Sequence, residues 1–141
     1  MASLPSGKRW FRVIGSAAAV IALSFLVLMG IVVVYAFILA FQARGAPDQI
    51  AISRFAATIS PRLMPWLEAL LTFLLGWRIG RSIDAAKADA VFVGALSGLL
   101  SVAVVLAFGG HLAVRHLLVF LTLTLLGWLG GLAGGRWSGQ R

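Results

Sequence analysis

The sequence has no cysteine and few charged residues, and both absences narrow the classes of protein it can encode. Without cysteine, the 141-residue chain cannot form disulfides, use a thiolate nucleophile or build a cysteine-ligated metal site. Only 11% of the residues are charged and 61% are hydrophobic, whereas a soluble domain carries roughly 25% charged residues. The polar side chains are too few to cover a water-facing surface. The composition and length therefore predict one integral membrane domain, residues 1–141.

Acidic residues are scarcer than basic ones, with four Asp and Glu against 12 Lys and Arg. A basic excess can indicate nucleic-acid binding, but no polar segment of this chain interleaves basic with aromatic residues. Membrane proteins collect Lys and Arg in cytoplasmic loops and against anionic lipid headgroups. We therefore expect the lipid bilayer and its anionic headgroups as partners, and no nucleic acid.

Motifs for catalysis and for cofactors are also missing. His111 and His116 are five residues apart in the sequence, whereas a metal-binding pair on a helix prefers a spacing of about four. The stretch "GALSG" at 94–98 does not place its serine centrally between the glycines, as a nucleophile elbow would. The sequence therefore predicts a protein that is not an enzyme and has no catalytic residues, no cofactor and no metal site.

Hydrophobic runs divide the chain into four predicted transmembrane spans, at about 13–42, 61–83, 90–109 and 112–135. The first is far longer than the apolar part of a signal peptide, so we interpret it as an uncleaved anchor. Ser60 and Pro61 are residue types of a helix N-cap and first helical position, which predicts that the second helix begins there. The predicted fold is an all-α, polytopic membrane protein whose four transmembrane helices form a compact, glycine-packed bundle.

The connector between the first two spans leaves two alternatives open. Its apolar residues in "QIAISRFAATIS" (49–60) recur at near-helical spacing, so the segment is either an interfacial helix or an ordinary apolar loop. With four spans, eight Lys and Arg lie on the side of the termini and four on the opposite side. The positive-inside rule then predicts that both termini are cytoplasmic, and we expect the plasma (inner) membrane of a bacterium.

Small residues four positions apart mark the last three predicted helices. Such spacing lets helix backbones approach closely in lipid, where hydrophobic burial drives little association. The residues predicted to pack helices or contact a partner are Gly76, Gly80, Gly94, Gly98, Gly127, Gly130, Gly131, Gly134 and Gly135. Ser97 and Ser101 lie on an adjacent face of the third helix. Either all these glycines pack the bundle internally, or one of the two glycine rows of the fourth helix contacts a partner.

Two of the glycine-marked segments also resemble each other. "LLTFLLGWRIGR" (70–81) aligns without gaps with "LTLTLLGWLGGL" (121–132), which indicates either an internal duplication or a coincidence in a very apolar chain. The whole pattern, with "GALSGLL" opening the third helix and "GWLGGLAGG" ending the fourth, resembles the small putative membrane proteins of the YrzE type. That family has no known function, so the resemblance implies a fold and no chemistry.

Glu68 is the one ionisable side chain well inside a predicted span, where charge is costly and commonly functional. Arg115 lies on the same side of the predicted topology, so Glu68 either forms a structural buried ion pair with Arg115, or is a hydrated carboxylate at the membrane interface, or couples protons or cations. We therefore predict a non-enzymatic accessory subunit of a larger membrane complex, or a bundle that self-associates through its glycine faces. The alternative is a small ion-coupled transporter or channel that uses Glu68. A lipid-modifying enzyme is a third reading with few polar residues to support it.

Overall fold

The computed structural model describes residues 7–81, 87–107 and 113–138. In these residues the chain forms four α-helices, which are α1 (Gly7–Gln42), α2 (Gln49–Gly80), α3 (Lys87–Ala107) and α4 (Val114–Ser138). The predicted all-α class is confirmed. His111 and the predicted span ends at 83, 109 and 112 lie outside the described residues.

Three of the helices are long and apolar enough to cross a membrane. These stretches are Trp10–Gln42 in α1, Ala88–Ala107 in α3 and Val114–Arg136 in α4. Helix α2 is not among them, because Arg62, Glu68 and Arg78 interrupt its apolar sequence. The three apolar helices indicate a membrane location, while the crossing of α2 stays a prediction.

Helix α2 begins twelve residues earlier than predicted, so the predicted start at Ser60 and Pro61 is wrong. Asp48 is the N-cap, and its carboxylate oxygen accepts hydrogen bonds from the backbone N–H groups of Ile50 at 2.8 Å and Ala51 at 3.3 Å. The segment 49–60 is thus neither a separate interfacial helix nor a loop, but the first third of α2.

Packing against α1 explains why α2 continues through Pro61. The Tyr35 and Phe55 rings stack with their centroids 3.9 Å apart, and Phe55 lies on the half-buried face of the segment 49–60. A proline inside a helix removes one hydrogen bond, and neighbouring helices can offset that loss. The local preference of proline for the first helical position therefore predicts the wrong start for α2.

The helices form a four-membered bundle in which α2 and α3 are central. Helix α1 packs against α2 and α3, and α4 packs against α2 and α3 from the other side. In the described residues α1 and α4 do not contact each other. Consequently α1 has neighbours along one side only, and Phe37 and Phe41 on its outer face are 72% and 81% exposed.

Candidate functional site

The glycines of α4 lie in direct contact with the backbone of α2. A methyl group placed on Gly130 would meet the carbonyl oxygen of Phe73 and, at 3.0 Å, the amide nitrogen of Trp77. A methyl group on Gly134 would meet the carbonyl oxygen of Trp77 in the same way. No side chain other than hydrogen fits at either position.

The residues that the sequence alignment pairs also meet in space. The carbonyl oxygen of Gly127 lies 2.8 Å from the site of a Cβ on Gly76, and Gly131 is the nearest neighbour of Gly80. Gly135 is farther away, with its Cβ position 3.8 Å from the carbonyl oxygen of Gly80. The two segments predicted to be duplicated therefore pack against each other.

The same helix is equally close to α3. A Cβ on Gly127 would lie 2.5 Å from the carbonyl oxygen of Ala90 and 3.0 Å from the Cα of Gly94. Gly98 faces a side chain as well as backbone, because its Cβ position is 2.9 Å from Cδ2 and 3.0 Å from Cα of Phe120. We call this region, where three helices touch through glycines, the glycine end of the bundle.

These contacts correct one hypothesis for α4. Gly127 contacts α3, and both Gly130 and Gly134 contact α2, so both glycine rows are used inside the bundle. Neither row is left as a free face for a partner. Close contact is possible on both sides because the two rows lie only one residue apart around the helix, which lets α4 fit the groove between α2 and α3.

At the opposite end of α3 and α4 the helices line a half-open cavity of about 490 Å³. All four helices contribute to its wall. The lining residues are Ile21, Phe25, Leu28, Ser60, Pro61, Met64, Pro65, Glu68, Ser101, Val102, Val104, Val105, Arg115, His116 and Val119. The wall is mainly aliphatic, with a few polar groups, which is the usual composition of a site for a small molecule. We call this region the cavity end.

Glu68 is the buried acid of the cavity. Its side chain is 2% exposed, and its Oε1 atom accepts a hydrogen bond from the Ser101 hydroxyl at 3.2 Å. A buried carboxylate is costly unless it is paired or hydrogen-bonded, and one hydroxyl satisfies only part of its capacity to accept hydrogen bonds. The site therefore has unused capacity to bind a cation or a hydrogen-bond donor.

Arg115 lines the same cavity, as its predicted proximity to Glu68 requires. Between these two residues, both of which the structure describes, no ion pair is formed. Arg115 is exposed, and moving its charge into an apolar cavity would cost desolvation. The structure thus brings the predicted pair to one site without joining them.

His116 is held by the start of its own helix. Its Nδ1 atom accepts a hydrogen bond from the backbone N–H of Ala113 at 2.9 Å, in the manner of a residue at the third helical position that reaches back to the N-cap. In the neutral ring Nε2 then carries the proton and is a donor. Among the described residues, no three His, Asp or Glu side chains cluster so as to hold a metal ion.

The sequence pattern points to Ser97 only as a small residue on a face of α3, and not to Ser24 or Thr72, yet all three are buried polar residues. Among the described residues, three hydroxyls are fully buried and have no hydrogen-bond partner, namely those of Ser24, Thr72 and Ser97. Sequence spacing could have indicated two of these residues. Thr72 follows Glu68 by one helical turn and therefore shares its face of α2, and Ser97 precedes Ser101 by one turn and shares its face of α3.

Together the fold and the cavity define a small helical membrane protein with a carboxylate buried beside an apolar cavity. Comparison with known proteins finds no matching family model, no matching curated protein and no matching solved structure. The resemblance to proteins of the YrzE type stays a prediction, and the function has to be argued from the site itself.

Proposed function

We propose that the protein is a non-enzymatic, ion-coupled membrane transporter that binds a small lipophilic cation at the cavity end. The observation that carries this proposal is Glu68, a carboxylate that is 2% exposed and forms part of the wall of an otherwise aliphatic cavity. An apolar body fills such a cavity, and a positive charge on it offsets the burial of the carboxylate. Ion-coupled transporters use intramembrane carboxylates in this way.

Backbone groups support the same ligand class. Pro61 and Pro65 both line the cavity, and each lacks the N–H that would bond the carbonyl four residues earlier. The carbonyl of Pro61, one of the two acceptors that lose this donor, belongs to a residue of the cavity wall. A carbonyl oxygen can accept a hydrogen bond or interact directly with a positive charge. It cannot bind an anion.

The membrane arrangement belongs to the same proposal. We propose that α2 crosses the bilayer with the three more apolar helices, held through the glycine contacts, and that both termini are cytoplasmic. Arg62 and Arg78, near the two ends of that crossing, have side chains long enough to reach the headgroups. The lipid bilayer and its anionic headgroups are then the immediate surroundings, in the inner membrane of a bacterium.

A pair of ligands of equal shape tests the binding step. Benzyltrimethylammonium and neopentylbenzene differ in one atom, so their difference in affinity reports the charge alone. We expect purified protein in nanodiscs to bind the cation more tightly by about tenfold or more. Glu68→Gln should remove that preference, while Asp48→Asn, which replaces an exposed N-capping carboxylate by another good N-cap residue, should keep it.

Flux in proteoliposomes tests the transport step. We expect uptake of labelled benzyltrimethylammonium to follow an imposed gradient of protons or sodium ions, to disappear in Glu68→Gln and to persist in Asp48→Asn. Equal uptake by the wild type and Glu68→Gln, or none by the wild type, would contradict transport through this carboxylate.

An accessory or self-associating role is the second candidate, and the surface of α1 favours it. Only 22% of the most apolar 18-residue stretch of α1 is buried. Nothing lies within 4 Å of the Cβ positions of Gly15 and Gly30. This surface can contact lipid, another membrane protein or a second copy. Copurification from native membranes tests the role, since a larger partner or a defined oligomer should accompany the protein through gentle solubilisation.

A further inference from the structure

The side chains of the cavity wall offer few free hydrogen-bond donors. Those that can donate belong to Ser60, Ser101, Arg115 and His116. The Ser60 hydroxyl donates its one proton to the carbonyl oxygen of Ala56 at 2.6 Å. The Ser101 hydroxyl donates its proton to Glu68 Oε1 at 3.2 Å. An imidazole and a guanidinium are therefore the side-chain donors that remain for a ligand.

The imidazole of His116 is a buried donor that is held in one orientation. The residue is 8% exposed, and Nδ1 accepts the hydrogen bond from the Ala113 N–H, so the ring is neutral and carries its proton on Nε2. In the part of the chain that the structure describes, Nε2 has no hydrogen-bond partner, yet it is not among the polar atoms sealed from solvent. Because His116 belongs to the cavity wall, a ligand in the cavity can reach this N–H.

Arg115 is the less suitable donor for a cationic ligand. It is exposed, so water can satisfy its guanidinium without a ligand. Its permanent positive charge also repels a cation that lies beside Glu68. The neutral ring of His116 has no such repulsion, and its N–H gains a partner that the fold itself does not supply.

His116 and Glu68 lie about one helical turn apart along the bundle. Helices α2 and α4 are parallel, because the contact of Gly76 with Gly127 is followed one turn later by a second contact between the same two helices. This register places His116 level with Pro65, and both residues do line the cavity. Glu68 follows Pro65 by three residues, or about 4.5 Å along the axis. A ligand with a few bonds between its two polar groups can therefore reach both side chains.

We propose that the cavity selects organic cations that also carry a hydrogen-bond acceptor, such as a carbonyl oxygen, and that His116 determines this selectivity. Its Nε2–H donates to the acceptor, the charged nitrogen lies against Glu68, and the apolar body of the ligand contacts the aliphatic wall. A ligand without the acceptor leaves a buried donor unpaired, which costs affinity. The inference deepens the proposed function and rests on it for the charge of the ligand.

Two pairs of compounds separate the acceptor from the charge. γ-(Trimethylammonio)butyrophenone has a short alkyl chain between its carbonyl and its charged nitrogen, and its methylene analogue has a CH₂ group in place of the carbonyl oxygen. Butyrophenone and its own methylene analogue repeat the comparison without the charge. Binding of the four compounds to the protein in nanodiscs then measures the two contributions independently.

The ratio of the ketone's affinity to that of its methylene analogue is the quantity that reports His116. We expect His116→Phe to lower this ratio by about tenfold, while the methylene analogue binds the variant and the wild type alike, which shows that the cavity is intact. His116→Gln should retain the ratio, because glutamine at this helical position can accept from the N-cap N–H and donate through its amide nitrogen. Arg115→Met, a change in the neighbouring wall residue, should retain it too.

The possible outcomes distinguish this inference from the proposed function. An equal ratio in the wild type and His116→Phe, or its loss in Arg115→Met instead, overturns the selectivity assigned to His116 and leaves a cation site at Glu68 standing. A ratio that depends on His116 for the neutral pair, without any preference for the charged compounds, supports His116 as the donor and refutes the cationic ligand. Failure of all four compounds to bind contradicts both.

Discussion

The two ends of the bundle are built from the same helices but are packed in opposite ways. At the glycine end the backbones of α2, α3 and α4 touch, and the Cβ position of Gly76 lies 2.8 Å from a carbonyl oxygen of the neighbouring helix. At the cavity end the same helices line a half-open space of about 490 Å³. The change occurs along α3, from Gly94 in backbone contact through Gly98 against Phe120 to Val102 in the cavity wall.

This difference assigns different tasks to the two ends. In lipid, helices associate through close van der Waals packing more than through the burial of apolar surface, so we expect the glycine end to supply much of the attraction that holds α4. That attraction can support a cavity end that is poorly filled and carries a buried charge. We therefore expect substitutions at the glycine end to affect stability, and substitutions at the cavity end to affect ligand binding.

The largest expected effect follows from adding a side chain at the centre of the glycine end. Gly130→Leu should destabilise the protein by about 3 kcal/mol or more, because the new atoms meet the backbone of α2, which cannot move aside. Reversible denaturation in mixed SDS micelles measures the change. The control is Gly30→Leu in α1, where nothing lies within 4 Å of the Cβ position. A similar loss for both variants would show that the cost belongs to the helix and not to the contact.

The sequence predicts the close helix contacts at the glycine end better than it predicts which helices make them. The spacing of Gly127 and Gly131 is enough to predict a close helix contact, because small residues four apart always share a face. The spacing does not identify the neighbouring helix. From sequence alone, one glycine row of α4 could therefore contact a partner, whereas in the structure both rows contact α2 or α3. Helix neighbours depend on the whole bundle and not on any one segment.

The cavity end was less predictable for the same reason. Glu68 is conspicuous in an apolar span, and Arg115 was expected on its side of the membrane. The cavity itself arises from the angle between helices, for which the sequence has no local signature. Helix α2 shows a related limit, since Pro61 favours a helix start locally, but packing of Phe55 on Tyr35 continues the helix through it.

An intermediate effect should mark the place where the packing changes. Gly94→Ala is expected to cost about 2 kcal/mol, because its Cβ would meet the backbone of Leu123 and Thr124. Gly98→Ala should cost less, about 1 kcal/mol or below, because its closest contact, at 2.9 Å, is a ring atom of Phe120 that can move, although the Phe120 Cα at 3.0 Å cannot. The same SDS titration compares the two variants side by side. A larger loss of stability for Gly98→Ala than for Gly94→Ala would contradict the structure, because it would place the tightest contact nearer to the cavity.

The smallest change in stability is expected where the helices are already apart. Val102→Phe adds a ring to the cavity wall, so the free energy of unfolding should change by no more than about 1 kcal/mol, in the stabilising direction, as cavity filling commonly does. The same variant should weaken binding of benzyltrimethylammonium by about tenfold or more, because the ring occupies the space of the ligand's apolar body. A Val102→Phe protein that is as unstable as Gly94→Ala would mean that the cavity end closes around its own side chains, and the functional contrast between the two ends would then be lost.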